Sequence, residues 1–312
     1  MLSRFHVPPH DIAHINSIEE EVLQKTSLEP KDDLTPVSVN EVQTLVKSIS
    51  TRKAPGLDGK EAEVIGIHKP EKPRDLPASY RPNSLLSGLA KLFERVLKTR
   101  LSNYFFGKGF IIDEQFGFRP AHSCPQQVLR LVEYVSEGFK IKHKTVAVFF
   151  DVAKAFDRVW HAGLVYKLHS LQVPDRLILI IENFLSNRHF TFRHERTHST
   201  KRLIRAGVPQ GSALSPLLYS AYTNDIPRLT SGVQLVLFAD DTALFFRSST
   251  RRSIFRHLPS AYDELGQWFR KWRIEINLDK SAAIQFKYSK NRSKLIIDWN
   301  TPNLKMLNAR IP

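Results

Sequence analysis

Two adjacent aspartates between two apolar segments constrain this chain more than any other feature. Asp240 and Asp241 follow the apolar run 235–238 and precede the apolar run 242–246, a pattern that predicts a strand, a tight acidic turn and a second strand. Two like charges at a hairpin tip repel each other and are costly to hold beside apolar strands. A divalent cation would offset that cost. The pair therefore predicts either a metal site or a plain surface turn.

A third carboxylate favours the metal site. Asp151 ends the apolar run 145–150, which predicts a buried strand. If that strand neighbours the acidic hairpin, Asp151 and Asp240 would bracket two Mg²⁺ ions about 4 Å apart, with Asp241 beside them. Carboxylate oxygens and substrate phosphates are the ligands that Mg²⁺ prefers.

The rest of the chain alternates between helical and strand periodicity. Leu89, Phe93 and Leu97 lie on one apolar face of a predicted helix,. Residues 1–37 are polar with scattered prolines, and we expect a loosely structured lead-in there. The layout predicts an α+β fold with an antiparallel central sheet. The pattern predicts helices over about 38–50, 87–104, 125–140, 174–185, 215–225 and 261–272, and further strands over 62–67 and 190–194,.

The net charge and the number of cysteines predict the type of binding partner and the cellular compartment. The chain has 46 Lys plus Arg against 31 Asp plus Glu, a net charge of +15, which predicts a polyanionic partner such as nucleic acid or an anionic membrane,. No apolar run is long enough to span a bilayer. The single cysteine, Cys124, cannot form an internal disulfide, which favours a reducing compartment,. We expect an intracellular protein of the cytoplasm and nucleus, outside the membrane.

Six blocks of the sequence follow one another in order: Ser79–Leu86, Gln115–Pro120, Phe149–His161, Gly207–Pro216, Phe238–Asp241 and Ile276–Lys280. In that order they resemble the two finger motifs and motifs A, B, C and D of one enzyme family, the reverse transcriptases of non-LTR retrotransposons, including the jockey-like elements of arthropods. The resemblance covers about residues 38–287.

The resemblance implies RNA-directed DNA polymerisation with two Mg²⁺ ions, an RNA template, a DNA primer and dNTPs. Its fold would be a right-hand polymerase palm, an antiparallel sheet packed on helices, with truncated fingers and the thumb largely absent. Asp151 and Asp240 match the metal ligands, with Asp241 beside them. Lys280 matches a general acid that donates a proton to pyrophosphate, although a lone lysine in a basic protein is more often a solvated surface charge.

Four further positions match residues that bind the dNTP. Phe156 matches the aromatic residue that blocks a ribose 2′-hydroxyl, and a core phenylalanine is the alternative. Gln210 would lie against the incoming nucleotide and template. Arg81 and Lys69 match finger positions that hold the triphosphate electrostatically, and a solvated surface charge is the alternative for Lys69.

The resemblance also implies domain boundaries, and it shows where this chain differs from the family pattern. It implies a reverse transcriptase domain over 38–287, with fingers over about 38–143, palm over about 144–287, and a basic tail, 288–312, at the start of a missing thumb. In the family a stretch of several tens of residues follows the turn Lys53–Gly59. Here Lys60-Glu61 joins that turn directly to the next strand, so we expect shortened fingers. We also expect no endonuclease domain before it.

Two other classes of function stay open. One is a catalytically inactive remnant that binds nucleic acid through its basic surface, and the other is an RNA-synthesising polymerase or a two-metal nuclease. Phe156 argues against RNA synthesis, and no ordered set of nuclease motifs is present. The segment His194–His198 matches the HExxH zinc-peptidase pattern, but that chemistry needs a helix. The segment follows a strand pattern, so we interpret the match as chance.

Overall fold

The computed structural model describes residues 10–32, 34–47, 61–194, 197–229, 232–287, 304–306 and 309–311. The chain divides into two compact units, each built from separate stretches of sequence. Unit 1 comprises Met1–Ile15, Ile112–Ala155 and Thr223–Pro312, and unit 2 comprises Asn16–Ile111 and Phe156–Tyr222.

The helices of the described residues are α1 (Ile12–Thr26), α2 (Val39–Lys47), α3 (Gly88–Gly107), α4 (Cys124–Lys140), α5 (His161–Ser170), α6 (Asp175–Leu185), α7 (Ser215–Tyr222) and α8 (Arg251–Lys271). The strands are β1 (Glu61–His68), β2 (Tyr80–Leu85), β3 (Lys144–Val152), β4 (His189–His194), β5 (Thr197–His198), β6 (Arg202–Leu203), β7 (Gln234–Phe238), β8 (Asp241–Ser248), β9 (Ile276–Phe286), β10 (Leu304–Met306) and β11 (Ala309–Ile311).

Unit 1 is built on a four-stranded sheet in the order β7-β8-β3-β9, in which every neighbouring pair is antiparallel. This confirms the predicted antiparallel central sheet. β3 is one of the two inner strands, since it pairs with β8 on one side and with β9 on the other. Its apolar residues are buried on both faces except for Phe149, which is partly buried, as expected for a strand covered on both sides.

Helices α4 and α8 cover opposite faces of this sheet. Side chains alternate between the two faces along a strand, so neighbouring residues of β3 contact different helices. On one face Ala147 and Phe149 of β3 pack in a cluster with Leu131 and Tyr134 of α4. On the other face Phe150 meets Tyr262 of α8 edge to face, with ring centroids 5.8 Å apart. Each fully buried side chain of this size contributes about 1.5–3 kcal/mol.

Unit 2 combines a second sheet with a group of helices. The sheet has the order β2-β1-β4-β5, with β6 on β4, and only its β1–β4 pair is parallel. β4 confirms the strand predicted over 190–194, and it pairs antiparallel with β5. Helices α3, α5, α6 and α7 contribute to the buried apolar core of unit 2. The core residues at 0% exposure include Leu101 of α3, Leu164 and Leu168 of α5, Ile178 and Ile181 of α6, Leu214 just before α7, and Leu218 of α7.

The predicted lead-in over 1–37 is wrong for Ile12–Thr26, which forms α1. Ile15, Ile18 and Val22 are buried at 4–6% exposure, and their spacing is that of one helical face. The apolar face of α1 is narrow and most of the surrounding residues are polar, so its helical periodicity is weak in the sequence.

The predicted apolar face of α3 is also partly wrong. Leu97 and Leu101 are buried at 2% and 0% exposure, but Leu89 and Phe93 are 75% and 45% exposed. Ser87 caps this helix by accepting a hydrogen bond from the Ala90 amide, which confirms its predicted start. Periodicity identified the helix, but only tertiary contacts decide how far along it the buried face extends.

Candidate active site

The acidic pair lies at the tip of the hairpin formed by β7 and β8. Phe238 pairs with Asp241, so Ala239 and Asp240 are the two residues of the turn. Ala239 has a φ of +59°, in the left-handed region that two-residue hairpin turns require. Asp240 therefore lies within the turn, and Asp241 is the first residue of β8. This confirms the predicted strand, turn and strand.

The third carboxylate lies on the neighbouring strand. β3 pairs with β8 up to Phe150 and Thr242, so the next residue of β3, Asp151, reaches the level of Asp241 at the same end of the sheet. The condition on which the predicted metal site depended, that the two strands are neighbours, is met. On its other side Asp151 pairs with Asn277 of β9, next to an irregularity in the register after Phe149.

Strand β9 fixes the backbone at Asp151. The Asp151 amide donates to Ser281 Oγ at 3.2 Å, and the Ser281 hydroxyl donates to the Asn277 carbonyl at 2.8 Å. Ser281 is only 2% exposed, so this hydrogen-bonded link is sheltered from water. It anchors the end of β3, where the strand leaves regular pairing.

The three aspartates affect one another electrostatically. Partial burial raises the pKa of Asp241, and the charges of Asp240 and Asp151 raise it further. Lys280 Nζ lies 3.8 Å from Asp151 Oδ2, with 65% of the lysine side chain and 36% of the aspartate side chain exposed. A pair so exposed to solvent compensates little of the repulsion, about 0–1 kcal/mol.

The carboxylates of Asp151, Asp240 and Asp241 are the type of ligand that a hard divalent cation binds. The same negative charges of Asp151 and Asp240 that raise the pKa of Asp241 also favour Mg²⁺, which takes oxygen ligands,. Within the described ranges, no three His, Cys, Asp or Glu side chains are arranged to hold one ion together. The assignment of Asp151, Asp240 and Asp241 as metal ligands thus stays a prediction.

In unit 2, Phe156 joins two of the predicted motifs. Its ring stacks on that of Tyr219 of α7, with centroids 5.1 Å apart and planes at 22°, and its side chain is half-buried. Its carbonyl accepts the Val208 amide at 2.8 Å, and the Val159 carbonyl accepts the Gly207 amide at 2.8 Å. The first residues of motif B are therefore hydrogen-bonded to the end of motif A.

Glycine is required at the start of motif B. Gly207 has a φ of +90°, and a Cβ there would lie 2.6 Å from the Asp157 carbonyl oxygen. A side chain would meet both a disfavoured backbone conformation and a backbone atom that cannot move aside. This close approach is what lets the loop 207–212 run against the residues after β3.

Gln210 is held by two contacts within unit 2. Its Nε2 donates to Asp157 Oδ1 at 2.8 Å, and its carbonyl accepts the Ser84 amide at 2.9 Å. The next residue, Gly211, has a φ of +90°, and a Cβ there would lie 2.3 Å from Asn83 Oδ1. Gln210 also lines a cavity of about 270 Å³ together with Val64, Pro82, Ser84, Asp157, Arg188, Phe190, Ile204, Ala206, Gly207, Val208 and Pro209.

The two predicted triphosphate residues belong to the β1–β2 hairpin. Arg81 is exposed and pairs with Ile67 across the hairpin. Lys69 follows β1, and its ammonium group donates to the Ala78 carbonyl at 2.7 Å. Unit 2 thus contains Lys69, Arg81, Phe156 and Gln210, and unit 1 contains Asp151, Asp240, Asp241 and Lys280.

Two residues that support motif B were missed by sequence reasoning. Glu94 of α3 is 1% exposed, and its carboxylate accepts the Ala213 amide at 3.2 Å. Burial raises the pKa of Glu94, against the opposing effects of Ser212, Ala213 and Arg188. His161 Nε2–H donates to the Gly207 carbonyl at 2.9 Å, and burial lowers its pKa, which favours the neutral imidazole. A buried acid within an amphipathic helix leaves no signal in the sequence.

The HExxH match lies on a hairpin, not on the helix that zinc-peptidase chemistry needs,. Arg193 pairs with His198 and His194 pairs with Thr197, so the two histidines of the pattern belong to the β4–β5 hairpin rather than to a helix. Residues 195 and 196 lie outside the described residues, as does the turn Lys53–Gly59 with its direct junction to β1.

Comparison with known proteins identifies the family. A model of the family described as reverse transcriptase (RNA-dependent DNA polymerase) matches residues 67–302. The chain belongs to the reverse transcriptase family. The matched range contains all eight predicted site residues, from Lys69 to Lys280.

Relatives from mobile elements of Drosophila melanogaster confirm the predicted resemblance to non-LTR reverse transcriptases. The chain is 34% identical over 298 residues to the probable RNA-directed DNA polymerase from transposon BS, covering 82% of this chain and 33% of that protein. It is 37% identical over 224 residues to the corresponding protein from transposon X-element, covering 70% and 25%. It is 34% identical over 295 residues to the RNA-directed DNA polymerase from mobile element jockey, covering 81% and 32%. The chain thus spans a quarter to a third of the length of these relatives.

Solved structures support the reverse transcriptase fold. Apo telomerase from Candida tropicalis, truncated from its C-terminal domain, matches with a TM-score of 0.52 and 12% identity, covering 84% of this chain and 56% of that chain. Telomerase from the same organism in complex with a fragment of telomeric RNA matches with a TM-score of 0.50 and 10% identity, covering 79% and 45%. In the part of the chain that the structure describes, no helix combines the length and the apolar character of a membrane span.

Proposed function

We propose that this chain catalyses RNA-directed DNA polymerisation. In that reaction the primer 3′-oxygen attacks the α-phosphorus of a dNTP, a phosphodiester bond forms, and the bond to pyrophosphate breaks. The observation that carries the proposal is the position of Asp151 on β3, level with the Asp240-Asp241 turn of the adjacent hairpin, in a member of the reverse transcriptase family.

The aspartates of unit 1 would hold two Mg²⁺ ions, with Asp151 and Asp240 as the main ligands. When bound, the ions would lower the pKa of the primer 3′-hydroxyl and neutralise the charge on the triphosphate. Asp241 would act beside them by adding negative charge. Lys280, 3.8 Å from Asp151, would donate a proton to the leaving pyrophosphate.

The predicted residues of unit 2 would select and hold the nucleotide. Phe156 would exclude ribonucleotides, since its ring is fixed against Tyr219 and cannot easily yield to a 2′-hydroxyl. Gln210, oriented by Asp157, would contact the incoming nucleotide and template. Arg81 and Lys69 would attract the triphosphate through their charges.

An RNA template and a DNA primer are the partners that this function requires. The net charge of +15 favours both, because contacts between Lys or Arg and backbone phosphates supply most of the affinity that does not depend on sequence. We place the reaction inside the cell, in the cytoplasm and nucleus, where the lone thiol of Cys124 would stay reduced.

The test is primer extension on an RNA template with dNTPs and Mg²⁺, comparing the wild type with Asp240→Asn. Asp263→Asn is the matched control, since it neutralises an exposed aspartate of α8 in the same unit. We expect extension by the wild type and by Asp263→Asn, and none by Asp240→Asn. Equal extension by all three would show that the acidic turn is not the catalytic site.

The second candidate is a nucleic-acid-binding remnant that has lost catalysis, and the basic charge favours it equally. Binding of the same primer–template, measured over a salt series, separates the two functions. Retained binding that falls steeply with salt, without extension under any of these conditions, would support the remnant and contradict the polymerase.

A further inference from the structure

A buried glutamine from the Gln115–Pro120 block is hydrogen-bonded to the acidic turn. Gln115 is 1% exposed. Its Oε1 accepts the Ala239 amide at 3.0 Å, and its Nε2 donates to the Ala239 carbonyl at 3.1 Å. One side chain thus satisfies both polar backbone groups of the residue that precedes Asp240.

Ala239 is the residue of the turn that most needs such support. Its φ of +59° is the left-handed conformation, which is disfavoured for residues that carry a Cβ. Such a conformation persists when the surrounding contacts over-determine it. The two hydrogen bonds from Gln115 supply that constraint from outside the hairpin.

The segment around Gln115 is itself fixed to β7. The Phe116 amide donates to the Leu237 carbonyl, and the Leu237 amide donates to the Glu114 carbonyl, both at 3.0 Å. Gln115 Oε1 also accepts the Gly117 amide at 2.8 Å, which orients the side-chain amide. The segment therefore lies along the outer edge of β7 as a short parallel extension of the sheet.

Gly117 shows how closely this segment meets the turn. A Cβ at Gly117 would lie 1.9 Å from the Ala239 nitrogen and 2.8 Å from the Phe238 carbonyl carbon. Only glycine leaves room for the two backbones at this separation. The contact is therefore a close fit of main chain to main chain, and Gln115 supplies its hydrogen bonds.

We propose that Gln115 is a positioning residue for the acidic turn, one that fixes the backbone of Ala239 and thereby the directions of the Asp240 and Asp241 carboxylates. It touches neither substrate nor metal, and its effect on catalysis rests on the function proposed above. Its effect on the turn does not depend on that function.

The test compares Gln115→Met with Gln127→Met. Methionine is similar in size to glutamine but forms neither of the two hydrogen bonds to Ala239. Gln127 is the matched control, because it is 5% exposed and its Nε2 donates to the Glu114 carbonyl and to the carbonyl of Leu237, two residues before Ala239, both at 3.0 Å. If Gln115→Met does not fold, Gln115→Glu serves for the Mn²⁺ measurement alone, because it loses the donor to the Ala239 carbonyl but keeps the acceptor for the Ala239 amide.

Two readouts without substrate are decisive. We expect the Ala239 amide to exchange with deuterium about two- to tenfold faster in Gln115→Met, the ratio that corresponds to one lost hydrogen bond. We expect Mn²⁺, followed by its electron paramagnetic resonance signal, to bind about tenfold more weakly, as when a residue supporting metal ligands is lost. Gln127→Met should leave both quantities near the wild-type values.

Unchanged exchange at Ala239 in Gln115→Met, or equal changes in Gln127→Met, would overturn the proposal. Faster exchange with unchanged Mn²⁺ binding would also overturn it, because the carboxylates would then not depend on the turn. If the wild type neither binds Mn²⁺ nor extends a primer, the proposed function fails, and exchange at Ala239 still decides whether Gln115 holds the turn.

Discussion

Two tyrosines on opposite faces of the central sheet should respond in opposite ways to loss of the hydroxyl group. Tyr262 of α8 has no accessible surface, and among the described residues its hydroxyl has no hydrogen-bond partner. Burial raises the pKa of this hydroxyl. Tyr134 of α4 is different, because its hydroxyl accepts the Arg247 amide at 3.1 Å.

The magnitudes follow from these contacts. A buried donor without a partner costs about 1–3 kcal/mol, so Tyr262→Phe should raise the free energy of unfolding by roughly 1 kcal/mol after allowance for the small void left by the oxygen. Its edge-to-face contact with Phe150 at 5.8 Å would remain. Tyr134→Phe should lower the free energy of unfolding by about 1–2 kcal/mol, since the Arg247 amide loses its acceptor.

Urea unfolding of the two variants and the wild type measures both changes, and equal m-values would show that unfolding exposes the same surface in each. A Tyr262→Phe variant no more stable than the wild type would show that the Tyr262 hydroxyl has a hydrogen-bond partner in the folded protein. A Tyr134→Phe variant more stable than the wild type would show that the Arg247 amide does not depend on the Tyr134 hydroxyl.

Three further changes test the other parts of the site. Phe156→Val should allow ribonucleotide incorporation, seen as a fall in the ratio of dNTP to rNTP use in primer extension, whereas Phe156→Tyr should preserve that ratio. Gly207→Ala should lower the free energy of unfolding by about 1–2 kcal/mol because of its backbone conformation alone, and further because of the contact with Asp157. Gly109 has a φ of +64° and open space around it. Gly109→Ala, measured by urea unfolding, therefore gives the backbone effect without the steric one. Burial raises the pKa of Glu94 above its ordinary value, so the folded state holds its proton more tightly and stability falls as the pH rises from the ordinary value through the raised one. Stability measured against pH should therefore fall less steeply over that window for Glu94→Gln than for the wild type, and parallel curves would show that Glu94 is not the group responsible.

Several elements of the fold could be read from local patterns. The run of apolar residues before and after Asp240-Asp241 predicted β7, the turn and β8, because strand and turn preferences act over a few neighbouring residues. Pro174 marked the start of α6, where it is the N-terminal cap. The family resemblance depended on the same short blocks, so the identity of the eight candidate site residues was available before the fold.

Other features depended on contacts that local patterns do not specify. The long helix α8 was predicted only over 261–272, yet it begins at Arg251 after Thr250, whose hydroxyl accepts the Ser253 amide. The predicted face of α3 failed at Leu89 because burial depends on which neighbours reach that turn of the helix. Sequence patterns assigned neither Glu94 nor His161 a role at the motif B loop, but the folded chain buries Glu94 and partly buries His161, and both hydrogen-bond to that loop.

The amino-acid sequence specifies the chemistry available to this protein: one carboxylate near the end of an apolar strand, two adjacent carboxylates between two other apolar strands, and a glycine-rich loop that only particular backbone conformations accommodate. The tertiary structure decided which of those groups meet. Asp151 reaches the level of Asp241 because β3 pairs with β8 in one register, and Gln115 reaches Ala239 because its segment lies along β7. Strand pairing joins residues far apart in sequence, and a buried side-chain amide must find its hydrogen-bond partners within the folded chain, because leaving it unpaired there is costly.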